Sequence, residues 1–245
     1  MTCPMNLWGV SDVGAVRTQN QDAYFVTEPG AQTPFAVVCD GMGGAKAGNV
    51  ASTVAVESFV ATLTEGLAMT GATVEQLLLQ AVDRANELVR YRSEVDKDCQ
   101  GMGTTLVAAL VDGPLVRLVN VGDSRGYHIG PEGIVQVTRD HSVVEDLVER
   151  GEITHEEARS HPKKNLITRA LGAEEQVQAD LYTLERREGE LILLCSDGLS
   201  NVVTDQEMLF ELVHGGPAQD GCRRLLALAL SRGAPDNVTA VLIQL

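Results

Sequence analysis

Four aspartates stand where an apolar run ends or begins. Asp40 closes "FAVVCD" just ahead of a Gly-Met-Gly-Gly stretch, Asp123 follows "LVRLVNVG", Asp197 follows "LILLCS", and Asp236 precedes "NVTAVLIQL". A carboxylate at the mouth of a buried strand is costly unless a positive charge meets it. Four of them, far apart in sequence, can converge at one sheet edge, where their mutual repulsion calls for cations. No His or Cys is positioned among them, so the ligand set is all oxygen, which suits Mg2+ or Mn2+ and disfavours structural zinc. Two such ions about 4 Å apart can share a hydroxide and clamp a phosphoryl group for in-line attack. Asp-Gly is also plain turn chemistry, a reading that serves for any one of these residues but poorly for all four. The stretch "VRTQNQD" adds Arg17 and Asp22. A planar guanidinium suits bidentate binding of a phosphate, and a nearby acid could hold a metal-bound water; taken alone, the pair also reads as a surface ion pair.

The elements that must position these residues are legible as apolar runs. Strands are expected at 35–39, 104–111, 115–122, 124–129, 190–195 and 238–245. "DGP" around Gly113 predicts a hairpin, so part of the sheet should be antiparallel. Helical spacing over 49–67 and 73–95 predicts two consecutive helices, the second opened by a capping box of Thr73 and Gln76. Two more boxes, Thr154 with Glu157 and Thr204 with Glu207, open shorter helices. Consecutive helices followed by consecutive strands point to a layered α+β fold rather than a doubly wound parallel sheet. Residues 140–170 are polar and charge-rich between core strands, and predict a surface excursion of the kind that contacts substrate.

Composition narrows the function classes. A net charge of -15 over 245 residues argues against nucleic acid and anionic membranes as partners and fits a protein that gathers cations. There is no run of about 18 apolar residues and no secretory leader, so no membrane anchor is expected and the setting is read as cytoplasmic. The five cysteines, Cys3, Cys39, Cys99, Cys195 and Cys222, are scattered with no CxxC pair and read as reduced thiols. None opens a Cys-x5-Arg loop. "NVT" at Asn237 matches a glycosylation acceptor and is read as incidental. No repeat, linker or low-complexity tract divides the chain, so residues 1–245 read as one domain.

Taken in order, "GAVRTQNQD", "DGMGG", "GMGTTLVAAL", "GDSRGY", "DHSVVEDLVERGEIT", "HPKKNLITRALG", "SDGLS" and "DNVTAVLI" resemble the catalytic domain of the bacterial metal-dependent type 2C serine/threonine protein phosphatases. The resemblance runs over roughly residues 7–245. It implies a four-layer αββα sandwich, two mainly antiparallel sheets flanked by helices, with a metal cleft at one sheet edge. It further implies that Asp40 bridges two Mn2+ or Mg2+ ions, that the Gly41 carbonyl ligates one, and that Asp197 and Asp236 complete the other. Asp123 with Asp197 would hold a third ion, Arg17 would bind the substrate phosphate, and Asp22 would order metal-bound water. Gly43 and Gly44 would leave room for phosphate and waters, and the 140–170 excursion would be a flap. The implied reaction is hydrolysis of phosphoserine and phosphothreonine on proteins by a metal-bound hydroxide, opposing a Ser/Thr kinase and its targets, in a monomer.

The chain departs from the pattern in one place. Many eukaryotic members carry His directly after the Asp-Gly, a candidate general acid; here Met42 stands there and cannot donate a proton. His141, at the start of the polar excursion, is the histidine weighed for a catalytic role, while His128, His155, His161 and His214 read as ordinary surface or core residues. Two alternatives remain beside the general phosphatase: a relative dedicated to one phosphoprotein partner, and a non-catalytic module that kept the fold. The flap-like excursion favours the broader enzyme, and the intact carboxylates with Arg17 oppose the lapsed one.

Overall fold

The central strands bury both of their faces, which explains runs as apolar as "FAVVC" and "LILLC". In β3 (Phe35–Met42), Ala36 and Val38 point toward the other sheet while Val37 and Cys39 point toward helices. In β10 (Leu191–Cys195), Ile192 and Leu194 point inward between the sheets, and Leu191, Leu193 and Cys195 outward. Two-sided burial of this kind is the usual signature of parallel sheets. Here every pairing is antiparallel, and helices on both outer faces produce the same sequence signal.

The computed structural model describes residues 5–69 and 71–245, with residues 45 and 46 by their backbone alone. One sheet has the order β1-β11-β10-β7-β8, with β1 at Asn6–Asp12, β7 at Arg125–Gly130, β8 at Gly133–Gln136 and β11 at Val238–Gln244. The other runs β2-β3-β5-β6-β9, with β2 at Asp22–Val26, β5 at Leu106–Asp112, β6 at Leu115–Val121 and β9 at Asp180–Glu185; the two-residue β4 (Gly103–Thr104) pairs with β3. A core of Val38, Val107, Leu118, Leu194 and Val241 fills the space between the sheets. The fold is a four-layer α+β sandwich.

The helices follow from spacing. In α1 (Gly44–Ala68), Ala51, Ala55, Phe59 and Leu63 recur every fourth residue and are fully buried on the sheet. Beside it, α2 (Val74–Val95) starts at the expected Thr73–Gln76 box and buries Leu78, Val82 and Val89. The opposite face is covered by α6 (Asp205–Val213), opened by the Thr204–Glu207 box, and α7 (Gly221–Ser231). Between β8 and β9 lie α3 (Val143–Glu149) and α4 (His155–Ser160), neither with a buried residue. The excursion is thus at the surface, but its foot is not: Asp140, His141 and Ser142 are buried.

The expected strands are all present, with "TTLVAALV" divided into β4 and β5 and the Gly113 hairpin joining β5 to β6. Four longer strands carried no sequence expectation: β1, β2, β8 and β9. They are the four sheet edges, where one side is open to solvent and the apolar signal is weakest. Helix α1 also begins five residues earlier than its periodicity, inside the glycine stretch. Cys39, Cys99, Cys195 and Cys222 are buried free thiols; Cys3 lies outside the described residues.

Candidate active site

Asp40 occupies β3 where the strand leaves the core, and both its backbone N–H and its carbonyl are held by the Thr104–Thr105 segment. Its N–H donates to Thr105 Oγ1 (2.9 Å), while its carbonyl accepts from Thr105 N (2.9 Å) and Thr104 Oγ1 (2.9 Å). Gly41 then meets the first turns of α1: a Cβ there would lie 1.9 Å from the Gly48 carbonyl oxygen. The glycine is therefore required by helix packing, quite apart from any ligand its own carbonyl meets.

The other carboxylates arrive from three further strand ends. Asp123 follows β6, and Asp236 precedes β11. Asp197 begins the short α5 (Asp197–Ser200) after β10, where its Oδ2 accepts from Asn201 Nδ2 (2.9 Å). With Asp40, Gly41 and Met42 they line one open cleft of ≈ 410 Å³ at the edge of the two sheets. Arg17 reaches the same cleft from the β1–β2 loop and donates to Asp236 Oδ2 at 2.7 Å, with its side chain 53% exposed. An exposed pair of this kind is worth about 0–1 kcal/mol, so the guanidinium can exchange to a phosphate at little cost.

Asp22 is not in the cleft wall. It lies directly opposite Asp40 in the β2–β3 ladder, buried, and its Oδ2 accepts from Ser196 Oγ and Thr239 Oγ1, both at 2.7 Å. One carboxylate on one sheet is thereby held by two hydroxyls of the other. Its second oxygen, Oδ1, is buried without a hydrogen-bond partner.

The electrostatics describe a cleft short of positive charge. Burial, then repulsion from neighbouring aspartates, holds the Asp40 carboxyl well above the ordinary carboxylate range. The same causes push Asp123 up to about 8 and, against two stabilising hydroxyls, Asp22 up to about 6; Asp197 is also raised, by burial and then by Asp236. Among the described residues no three His, Cys, Asp or Glu side chains form a closed ligand group. Asp40 and Asp197 are close enough to interact directly, and Asp22, Asp123 and Asp236 add to the repulsion on Asp40. The donors are all oxygen, one buried Asp22 oxygen is unpartnered, and the single guanidinium cannot neutralise the set, so the residues present fit hard divalent cations.

Several residues of this machinery escape a reading based on carboxylates. Thr105 Oγ1 also meets Ser124 Oγ at 2.7 Å, tying the Asp40 segment to the Asp123 segment. Asn237, the residue of the glycosylation-like "NVT", is buried and holds the Arg17 loop: Nδ2 donates to Val13 O (2.9 Å) and Gln19 O (3.0 Å), and Oδ1 accepts from Gln21 N (2.8 Å). The available signal was a polar residue inside an apolar run. Thr105, Ser124, Ser196 and Thr239 are all essentially inaccessible to solvent, and a core hydroxyl needs a partner.

The sequence profile of the protein phosphatase 2C family matches residues 15–229. A serine/threonine phosphatase, stp, of Listeria monocytogenes is 38% identical over 235 residues, spanning 96% of this chain and 93% of its own length. The crystal structure of the Mycobacterium tuberculosis serine/threonine phosphatase PstP/Ppp superposes with a TM-score of 0.89 at 38% identity, covering 99% of both chains. The catalytic domain of PstP in complex with two manganese ions superposes at 0.86 with 37% identity, covering 98% of both chains. The two face-packed antiparallel sheets with an acidic cleft at their shared edge are thus a phosphatase scaffold. The chain belongs to the protein phosphatase 2C family.

Proposed function

We propose that this protein hydrolyses phosphoserine and phosphothreonine on protein substrates with divalent cations, Mn2+ or Mg2+, in its acidic cleft. The observation that carries the reading is the convergence of Asp40, Asp123, Asp197 and Asp236 with Arg17 on one cleft. Asp40, the Gly41 carbonyl, Asp197 and Asp236 would hold two ions; Asp123 with Asp197 would hold a third. Such ions supply an acidified water as nucleophile and neutralise charge on the phosphoryl group. The chain's own part is orientation. Arg17 swings from Asp236 to the substrate phosphate, and Asp22, buried beside Asp40 with a free Oδ1, would order metal-bound water. Met42 forms part of the wall and donates no proton.

The four buried free thiols fit a reducing, cytoplasmic setting. The exposed large apolar residues Val16, Met69, Tyr91, Val135, Leu166 and Phe210 lie on different stretches of the chain, and we read the protein as a monomer. A Ser/Thr kinase would supply the phosphoproteins. The test is hydrolysis of p-nitrophenyl phosphate and a phosphothreonine peptide with Mn2+ and with EDTA. Turnover only with Mn2+ is expected; no turnover with the ion present would leave a binding module, and equal turnover in EDTA would remove the cations from the reaction.

A further inference from the structure

The foot of the surface excursion contains a histidine with no access to solvent and no place in the cleft wall. His141 is 0% exposed. Its main chain and side chain both address the turn that carries Asp123: His141 N donates to Gly122 O at 2.9 Å, and Gly122 N donates to His141 Nδ1 at 3.1 Å. Gly122 has φ +105°, and a Cβ on it would lie 2.6 Å from the Thr105 side chain, so this turn is held in a conformation and a space that glycine alone accepts without strain.

Because Nδ1 is an acceptor, the ring proton sits on Nε2. That N–H donates to Asp180 Oδ2 at 3.1 Å, at the start of β9, and Asp180 Oδ1 in turn accepts from Arg169 Nη1 at 2.9 Å. The Arg169 guanidinium also lies 3.1 Å from Nε2, but a nitrogen that already carries its proton cannot accept, so Arg169 serves as the charge partner of Asp180. The two ends of the excursion close on the same point. Thr168 N donates to His141 O (2.8 Å), Val143 N donates to Leu166 O (2.9 Å), and Ser142 bridges Ile167.

We propose that His141 is a positioning residue that couples the seating of Asp123 to the anchoring of the 143–167 flap. The end of β6 and the start of β9 meet on this one imidazole, and both feet of the flap close on or beside the main chain of the same residue. A flap displaced by a substrate protein therefore pulls on the Gly122–Asp123 turn, and an ion that fixes Asp123 steadies the flap. Both ring nitrogens are engaged away from the cleft, so His141 is not the proton donor that Met42 fails to be. The coupling rests on the reading of Asp123 as an ion ligand; the clasp itself does not.

The test compares His141→Phe, which fills the space but removes both ring hydrogen bonds, with His141→Asn, whose Oδ1 can replace Nδ1 as acceptor. Hydrogen exchange at Gly122, Val143 and Thr168 is measured first. His141→Phe should raise it at least about fivefold at Gly122, the effect of an unmet buried donor, and raise it at Val143 and Thr168 as the feet of the flap loosen. His141→Asn should restore most of the protection at Gly122. In Mn2+ titration calorimetry the Phe variant should lose only the weakest class of site. On a phosphopeptide its kcat should fall with KM unchanged, and adding Asp123→Ala should bring no further loss. Unchanged exchange at the three amides overturns the clasp, and additive losses in the double variant overturn the coupling. An Asp123→Ala chain that keeps every Mn2+ site would refute the ion assignment of Asp123, while the exchange at Gly122 would still decide the clasp. If His141→Phe does not fold, Asp180→Ala loosens the same ring with His141 in place and should reproduce the exchange result.

Discussion

Replacing Asn237 with Ala should loosen the loop that carries Arg17 without touching any carboxylate. The side chain makes three hydrogen bonds of 2.8–3.0 Å, two to carbonyls of Val13 and Gln19 and one from the Gln21 amide, and the residue is 4% exposed. At about 0.5–1.5 kcal/mol net for each bond, the loss sums to about 3 kcal/mol. For a chain of this size that is a fall of about 6–12 °C in Tm. The kinetic consequence is specific: a less ordered Arg17 meets the ground-state phosphate less well, so KM for a phosphopeptide should rise more than kcat falls. Thermal unfolding by circular dichroism and steady-state kinetics on one preparation read both effects. A drop in Tm with unchanged KM would mean that Asn237 supports only the sheet edge, and an unchanged Tm would refute the hydrogen-bond argument outright.

Other outcomes follow from the same geometry. Chelation should abolish activity and lower Tm, since free metal at 100 times its dissociation constant stabilises by about 2.7 kcal/mol per site; an unmoved melting curve would contradict the repulsion among the carboxylates. In EDTA, stability should fall as pH rises, because acids whose folded pKa is raised, Asp22 to about 6 and Asp123 to about 8, bind protons more tightly folded than unfolded. That loss should run from the ordinary carboxylate range up to about 8, and Mn2+ should flatten it; a curve rising with pH over this window would reverse the sign argued here. Arg17→Ala should raise KM more than it lowers kcat, and a large kcat loss at constant KM would move Arg17 to transition-state charge. Asp123→Ala should lose the weakest ion site and slow a phosphopeptide more than p-nitrophenyl phosphate, whose leaving group needs little protonation. Equal losses on both substrates would reduce Asp123 to support of its neighbours.

Strand-end carboxylates were readable because burying charge at the exit of an apolar run has few bland explanations, and Asp40, Asp123, Asp197 and Asp236 do line one cleft. Asp22 was readable as an acid but not as one buried beside Asp40 beneath the cleft wall; the register of β2 and β3 sets the two side chains on the same face. The hydroxyls of Thr105, Ser124, Ser196 and Thr239 left little mark because a lone Ser or Thr in a strand is common; only the partner across the sheets gives it meaning. The same logic separates the strands. β3, β5, β6, β7, β10 and β11 have neighbours on both sides and announce themselves. β1, β2, β8 and β9 are half open to water, and "NLWGVSD" or "GIVQ" carries no comparable pattern. Gly41 shows a further limit: its bareness suggested room for a ligand, yet the Gly48 carbonyl already occupies that space.

The strand order has a consequence for how the molecule comes into being. β11, last of the described strands in chain order, is inserted between β1 and β10, and the residues just before it, Asp236 and Asn237, hold Arg17 and its loop. A ribosome that has released everything through β10 has made a chain with β1 unpaired and the catalytic edge missing one acid and its latch. Domains tend to fold in order as they are synthesised, but here the first described strand pairs with the last described one, the slowest kind of contact to find. Until β11 is available, β1 has no partner and the gap beside β10 stays open.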